Sequence, residues 1–213
     1  IVNDNYVPKF IYIFIIKNMA YIELGNNLQG IRGLLKYNPV TAYPLLLLAE
    51  TLLQGNSTLS KGECELIATY TSFKNDCQFC QLSHGGAAAT HLGLNLDAIT
   101  EIKSNPDNSE LITPKMKTLL HIAALVQQGG KFVTDNAIQS AKNYGATDAE
   151  IHDTVLIAAA FCLFNRYVDG LGTNSESNPE SYLEASARMA NEGYLRKENL
   201  AMMGINPDKS NSL

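Results

Sequence analysis

Residues 59–93 read LSKGECELIATYTSFKNDCQFCQLSHGGAAATHLG, and this stretch decides the fold. Leu59-Ser60-Lys61-Gly62-Glu63 has the form of a capping box, in which the Ser60 hydroxyl and the Glu63 carboxylate each satisfy a free amide at a helix start. A helix is expected from about 61 to 74, and Asn75-Asp76 is expected to cap a second one that ends near Gly93. Working outward, the same start and stop signals recur. Pro44 stands in the first turn of a leucine-rich helix that stops at Gly55. Asn95 starts a short helix to about Ser104, Thr113-Pro114 opens one to Gly129, and Thr134 caps one that ends at Gly145. Thr147-Asp148-Ala149-Glu150 is a second capping box, opening a long apolar helix to about Asp169, where Gly170-Leu171-Gly172 stops it. Asn178-Pro179-Glu180 opens a last amphipathic helix that ends at Gly193. No segment alternates with period two. The expected fold is therefore all-α, one domain over residues 19–204 with short connections, followed by a polar, frayed tail at 205–213.

Composition bounds the function. The chain has 213 residues, 46% hydrophobic and 17% charged, with a net charge of −5, which is enough apolar material for a real core. No basic cluster is interleaved with aromatics, so nucleic acid is not an expected partner. Phe10 to Ile16 is apolar but too short to span a bilayer, and it lacks the basic leader and cleavage site of a secretory signal. No membrane association is expected. Residues 1–18 read as an extension outside the functional fold, since the sequence from Met19 onward reads like the start of a cytosolic protein. Four cysteines, Cys64, Cys77, Cys80 and Cys162, in a large apolar domain fit a reducing cytoplasm better than a disulfide scaffold. Cys162 lies in an apolar run and Cys64 near a helix start; both read as packing residues.

The chemistry concentrates in Cys77-Gln78-Phe79-Cys80-Gln81-Leu82-Ser83-His84. On a helix, positions 77, 80 and 84 share a face. Two thiols a turn apart can reach disulfide geometry, and an imidazole beside them can move a proton on or off sulfur. Free amides and the positive end of the helix dipole favour thiolate there. A thiolate that attacks a peroxide oxygen becomes a sulfenic acid, and a second thiol three residues away condenses with it, giving a disulfide and water. Glu65 is the candidate partner for His84, although a carboxylate near a helix N-terminus is also explained by the dipole alone. Among the other histidines, His121 reads as a core histidine in an apolar stripe, His91 as a helix-end cation and His152 as isolated. Arg166 and Asp169 read as an i,i+3 pair near a helix end, with Asn165 or Arg166 as alternative site-lining residues. Gly85-Gly86 and the alanines after it imply close approach of another helix, such as one across a subunit interface.

Glu65, Cys77, Cys80 and His84, with Gly85 next, resemble the active-site pattern of alkylhydroperoxidase D in the carboxymuconolactone decarboxylase superfamily. Leu59 to Glu63 and Phe164-Asn165-Arg166-Tyr167-Val168-Asp169-Gly170-Leu171-Gly172 are similar to its peroxidase-related branch, and the resemblance covers Tyr21 to Gly193. It implies an AhpD-like helical fold assembled into trimers or hexamers. It implies peroxide reduction by a cysteine pair, with a redox-active disulfide and no other cofactor. Cys80 would correspond to the peroxidatic thiol, Cys77 to the resolving thiol, and Glu65 with His84 to a proton relay. A dithiol or lipoyl-bearing protein would return the electrons. One departure stands out: the alkylhydroperoxidase has a histidine just before the second cysteine, where this chain has Phe79, which carries no proton. Three other readings compete. Cys77, Cys80, His84 and Glu65 could hold zinc. The sister chemistry of the superfamily is lactone decarboxylation, which needs a carboxylate and a histidine but no thiol pair. The fourth is a redox-responsive oligomer.

Overall fold

The structure is a computed structural model that describes residues 20–202, 204 and 205. The expected extension at 1–18 and the expected tail beyond Ile205 lie outside the described residues. Among the described residues ten α-helices follow one another: α1 Ile31–Tyr37, α2 Pro39–Gln54, α3 Lys61–Lys74, α4 Gln78–Leu92, α5 Leu96–Ser104, α6 Pro114–Gln128, α7 Asp135–Asn143, α8 Asp148–Gly170, α9 Leu183–Glu192 and α10 Lys197–Met202. No strand occurs among the described residues. Both expected capping boxes form, at Ser60/Glu63 and Thr147/Glu150. Asn95, Thr113 and Thr134 each accept an amide as N-caps of α5, α6 and α7.

Three boundaries differ from expectation. Helix α2 begins at Pro39, which occupies the first position, so Pro44 lies inside it. The segment opened by Asn178 starts as a 3₁₀ turn, Pro179–Tyr182, before α9, because the Asn178 side chain caps the Glu180 amide and tightens the first turn. Helices α1 and α10 were not expected; each has seven residues or fewer, too short for a periodic signal.

The core is centred on α3, which is buried from Cys64 through Ser72. It packs against α4, α6 and α8, and α9 lies across α4. By length and composition α8 could cross a bilayer, but 56% of its apolar window is buried inside this fold. Helices α3 and α4 form an antiparallel hairpin joined by three residues. That register sets Gly62 near the start of α3 against Leu92 at the end of α4, and it sets Glu65 opposite His84. The small-residue stretch of α4 does meet another helix, but one from the same chain. A Cβ on Gly86 would lie 2.7 Å from the Ser186 Cβ and Oγ on α9 of the same chain, and the Ser186 hydroxyl donates to the Ser83 carbonyl at 2.8 Å.

Candidate active site

The turn between α3 and α4 places the first cysteine. Asn75 and Asp76 do not cap α4 as expected; they close α3. Asp76 takes a left-handed conformation at φ 58°, which Asp tolerates better than most residues. The Asp76 amide donates to the Phe73 carbonyl and the Cys77 amide to the Ser72 carbonyl, both at 3.0 Å, which is the Schellman pattern. Cys77 is thus the N-cap of α4, and Cys80 stands in its first turn among unpaired amides. All four cysteines are free thiols, and all are buried. The Cys77 and Cys80 side chains are hydrogen-bonded to each other. That bond, then burial and the charge of Cys80, push the Cys77 thiol far above the usual thiol range. Cys77 therefore keeps its proton.

Glu65 and His84 meet as the sequence pattern anticipates. His84 Nδ1 lies 2.8 Å from Glu65 Oε2, and Glu65 is 0% exposed. Tyr194 is the third member, which no motif announced. Its hydroxyl donates to Glu65 Oε1 at 2.6 Å and lies 3.3 Å from His84 Nδ1. Burial and the charge of Glu65 push the Tyr194 phenol well above its usual range, so it stays a donor. A carboxylate with these two neighbours can only accept, which assigns the imidazole proton to Nδ1 and leaves Nε2 as the basic nitrogen. Tyr194 is itself fixed. Its amide donates to Glu50 Oε2 on α2 at 2.6 Å, and the preceding Gly193 has φ 78°, where a Cβ would collide with the Glu50 carboxylate.

Cys77 and Cys80 sit in a small apolar cluster with Phe79, Val168 and Tyr182. Phe79 packs so closely on Gly30 that a Cβ there would fall 2.2 Å from its ring, and it meets Tyr182 edge-on at 5.8 Å. Phe79 and Tyr182 of this cluster, with His84 and Tyr194 among others, also line a cavity of about 300 Å³; neither cysteine lines it.

Behind Cys77 lies a buried polar network that sequence reasoning resolved only in part. Asn165 on α8 accepts from Asn75 Nδ2 at 2.8 Å and donates to Ser72 Oγ at 3.0 Å, and Gln127 donates to Asn75 Oδ1 at 3.0 Å. The expected Arg166–Asp169 pair does not form. Arg166 donates to the Cys162 carbonyl instead, while Asp169 hydrogen-bonds Cys77; burial raises its carboxyl and that bond lowers it, with a net rise. Cys64 and Cys162 are packed in the interior as expected, and Cys64 is pushed up to about 12, chiefly by burial. His121 is exposed rather than a core histidine, because α6 turns Leu119, Leu120 and Ile122 inward and position 121 outward. His91 stands in the last turn of α4, and His152 is exposed beside Asp153 at 3.0 Å. No group of three His, Cys, Asp or Glu side chains converges as metal ligands among the described residues.

Comparison with known proteins supports the fold. The model of the carboxymuconolactone decarboxylase family matches residues 108–172, which lie C-terminal to the thiol pair. No curated protein sequence matches the chain. An alkylhydroperoxidase AhpD core described as an uncharacterized peroxidase-related protein from Ralstonia eutropha JMP134 superposes with a TM-score of 0.63 at 22% identity, covering 71% of this chain and 77% of that one. An uncharacterized peroxidase-related protein from Silicibacter sp. TM1040 gives 0.64 at 20% identity, covering 85% and 90%. The described residues thus share the fold of these AhpD-like, peroxidase-related structures, and a segment of the C-terminal half matches the carboxymuconolactone decarboxylase family.

Proposed function

We propose that the protein is a thiol-dependent hydroperoxide reductase in which Cys80 is the peroxidatic residue, Cys77 the resolving residue, and His84 with Glu65 the proton relay. One observation carries this reading: a hydrogen-bonded pair of buried thiols stands on the same helix as an imidazole whose Nδ1 is held by a fully buried carboxylate. His84 lies one turn beyond Cys80 on the same helical face. Its Nε2 takes the Cys80 proton, and Glu65 stabilises the imidazolium. The Cys80 thiolate attacks the peroxide; the O–O bond breaks as the S–O bond forms, and Nε2 returns the proton to the departing alkoxide. Sulfur is oxidised to sulfenic acid, and the hydroperoxide is reduced to an alcohol. The Cys77 thiol then displaces the hydroxyl as water and closes the Cys77–Cys80 disulfide. An external dithiol, of protein or lipoyl type, reopens it by exchange. Phe79 adds no proton carrier to this relay, so the reductant need not be the lipoyl protein of the alkylhydroperoxidase. A reducing compartment such as the cytoplasm suits the cycle. Assembly as a trimer or hexamer is supported by Leu156 and Leu163, exposed seven residues apart on one face of α8.

Cys80→Ser is expected to abolish peroxide consumption, and Cys77→Ser to leave a sulfenic acid that over-oxidises, both read by peptide mass. Undiminished turnover in both variants would discard the assignment. A second reading is decarboxylase-like acid–base chemistry on an organic acid. What favours it is that His84 lines the cavity and the sulfurs do not. It would survive Cys80→Ser.

A further inference from the structure

We propose that the cavity beside His84 selects hydroperoxides that carry a carboxylate, with the apolar body of the substrate on its apolar lining residues and the anionic group on its arginines. The proposal names a substrate class for the site above and rests on the peroxidase reading for turnover, though not for binding. The apolar lining includes Ile31, Leu35, Leu46, Phe79 and Met189, and three arginines, Arg32, Arg188 and Arg196, line the same cavity from three separate segments of the chain. A cavity of about 300 Å³ is at the lower end of small-molecule sites. Three guanidiniums lining one cavity repel each other, and an anion among them offsets that repulsion. The Arg32 guanidinium accordingly lies below the usual arginine range, by desolvation first and then by the charges of Arg196 and Arg188.

Arg196 supplies the second observation. Its Nε is buried and has no hydrogen-bond partner, an orphaned donor of a charged group beside the cavity. Its Nη1 donates to Glu192 Oε2 at 3.1 Å, and Arg188 stands 3.5 Å from Glu184. Both acids are solvent-exposed, and such surface pairs are weak and screened, so they yield to a ligand. Of the remaining carboxylates, Glu176 lies in the lining with Oε1 on the Ser177 amide, and Glu65 is held by His84 and Tyr194. A substrate carboxylate offers two acceptor oxygens to these forked donors, the geometry guanidinium binds best.

The test compares cumene hydroperoxide bearing a para-carboxylate with the methyl ester of the same compound, under one reductant, at low and high salt. The reacting group and ring are unchanged; only the charge differs. The acid is expected to show a kcat/KM about tenfold or more above the ester, the size of one charge-assisted hydrogen bond, and to lose much of that lead in salt. Arg196→Met is expected to shrink the ratio several-fold. Equal kcat/KM for acid and ester in the unmodified protein overturns the proposal while leaving the peroxidase reading intact. Should neither peroxide turn over, the peroxidase reading fails, and calorimetry with para-isopropylbenzoate and its methyl ester decides the binding claim. Tighter binding of the acid, lost in Arg196→Met, supports it, and equal or absent binding of both overturns it.

Discussion

Replacing Glu65 by Gln keeps the shape of the side chain and removes its charge. The carboxylate is fully buried, 2.8 Å from His84 Nδ1 and 2.6 Å from the Tyr194 hydroxyl. At an effective dielectric of about 20, opposite unit charges about 4 Å apart attract by about 4 kcal/mol. Gln still accepts the Nδ1 proton, so part of the interaction survives. Hydrogen bonds to charged groups contribute about 1.5–3 kcal/mol net, and that is the range expected to be lost. Every 1.4 kcal/mol is a factor of ten, so the imidazolium–thiolate state becomes about tenfold to a hundredfold rarer. The assay is iodoacetamide alkylation of Cys80 at neutral pH in a Cys77→Ser background, located by peptide mass, with thermal unfolding as the control for folding. Alkylation should slow by that factor. An unchanged rate in a variant that unfolds at the same temperature would refute the relay and reduce Glu65 to a structural charge.

Tyr194→Phe leaves Glu65 Oε1 without its donor and should lower stability by about 1–3 kcal/mol, read by urea unfolding; no loss would mean that the phenol is dispensable. Gly86→Ala places a Cβ 2.7 Å from Ser186 and should destabilise by about 1–3 kcal/mol less the roughly 1 kcal/mol helix gain, and Ser186→Gly should recover it in the double variant. Alkaline pH should weaken the fold. Cys64 rises from an ordinary 9.0 to about 12 and Tyr182 from 10.0 to about 12, both chiefly by burial. The unfolded chain therefore releases these protons first, and stability present below about 9 declines as pH rises toward about 12. The urea midpoint should fall over that window, less steeply in Cys64→Ala, and a midpoint that rose would contradict the burial argument.

Much of the fold was legible because its helices carry local punctuation. Ser60 with Glu63, Thr147 with Glu150, Asn95, Thr113 and Thr134 fix helix starts through single side-chain bonds, and no tertiary contact is needed to read them. The register of the α3–α4 hairpin then carries Glu65 to His84. Other features depend on packing that sequence does not encode locally. Asp76 was read as a cap for α4 because nothing in Asn75-Asp76 distinguishes a cap of the next helix from a close of the last. Tyr194 belongs to no motif; it reaches Glu65 because Gly193 turns the chain onto Glu50. Asp169 reached Cys77 rather than Arg166 because α8 runs past the hairpin turn, a neighbourhood that spacing along one helix cannot report. The three cavity arginines are far apart in sequence and drew no attention for the same reason.

The central claim is that Cys77 and Cys80 cycle between thiols and a bond, and single-turnover oxidation addresses it most directly. The reduced protein is mixed with one equivalent of an organic hydroperoxide in a stopped flow, thiols are titrated before and after, and the peptides are mapped. The account predicts the loss of two thiols per chain and one alcohol formed, with the new disulfide joining residues 77 and 80 while Cys64 and Cys162 stay reduced. Peroxide left unconsumed with all four thiols intact would contradict it.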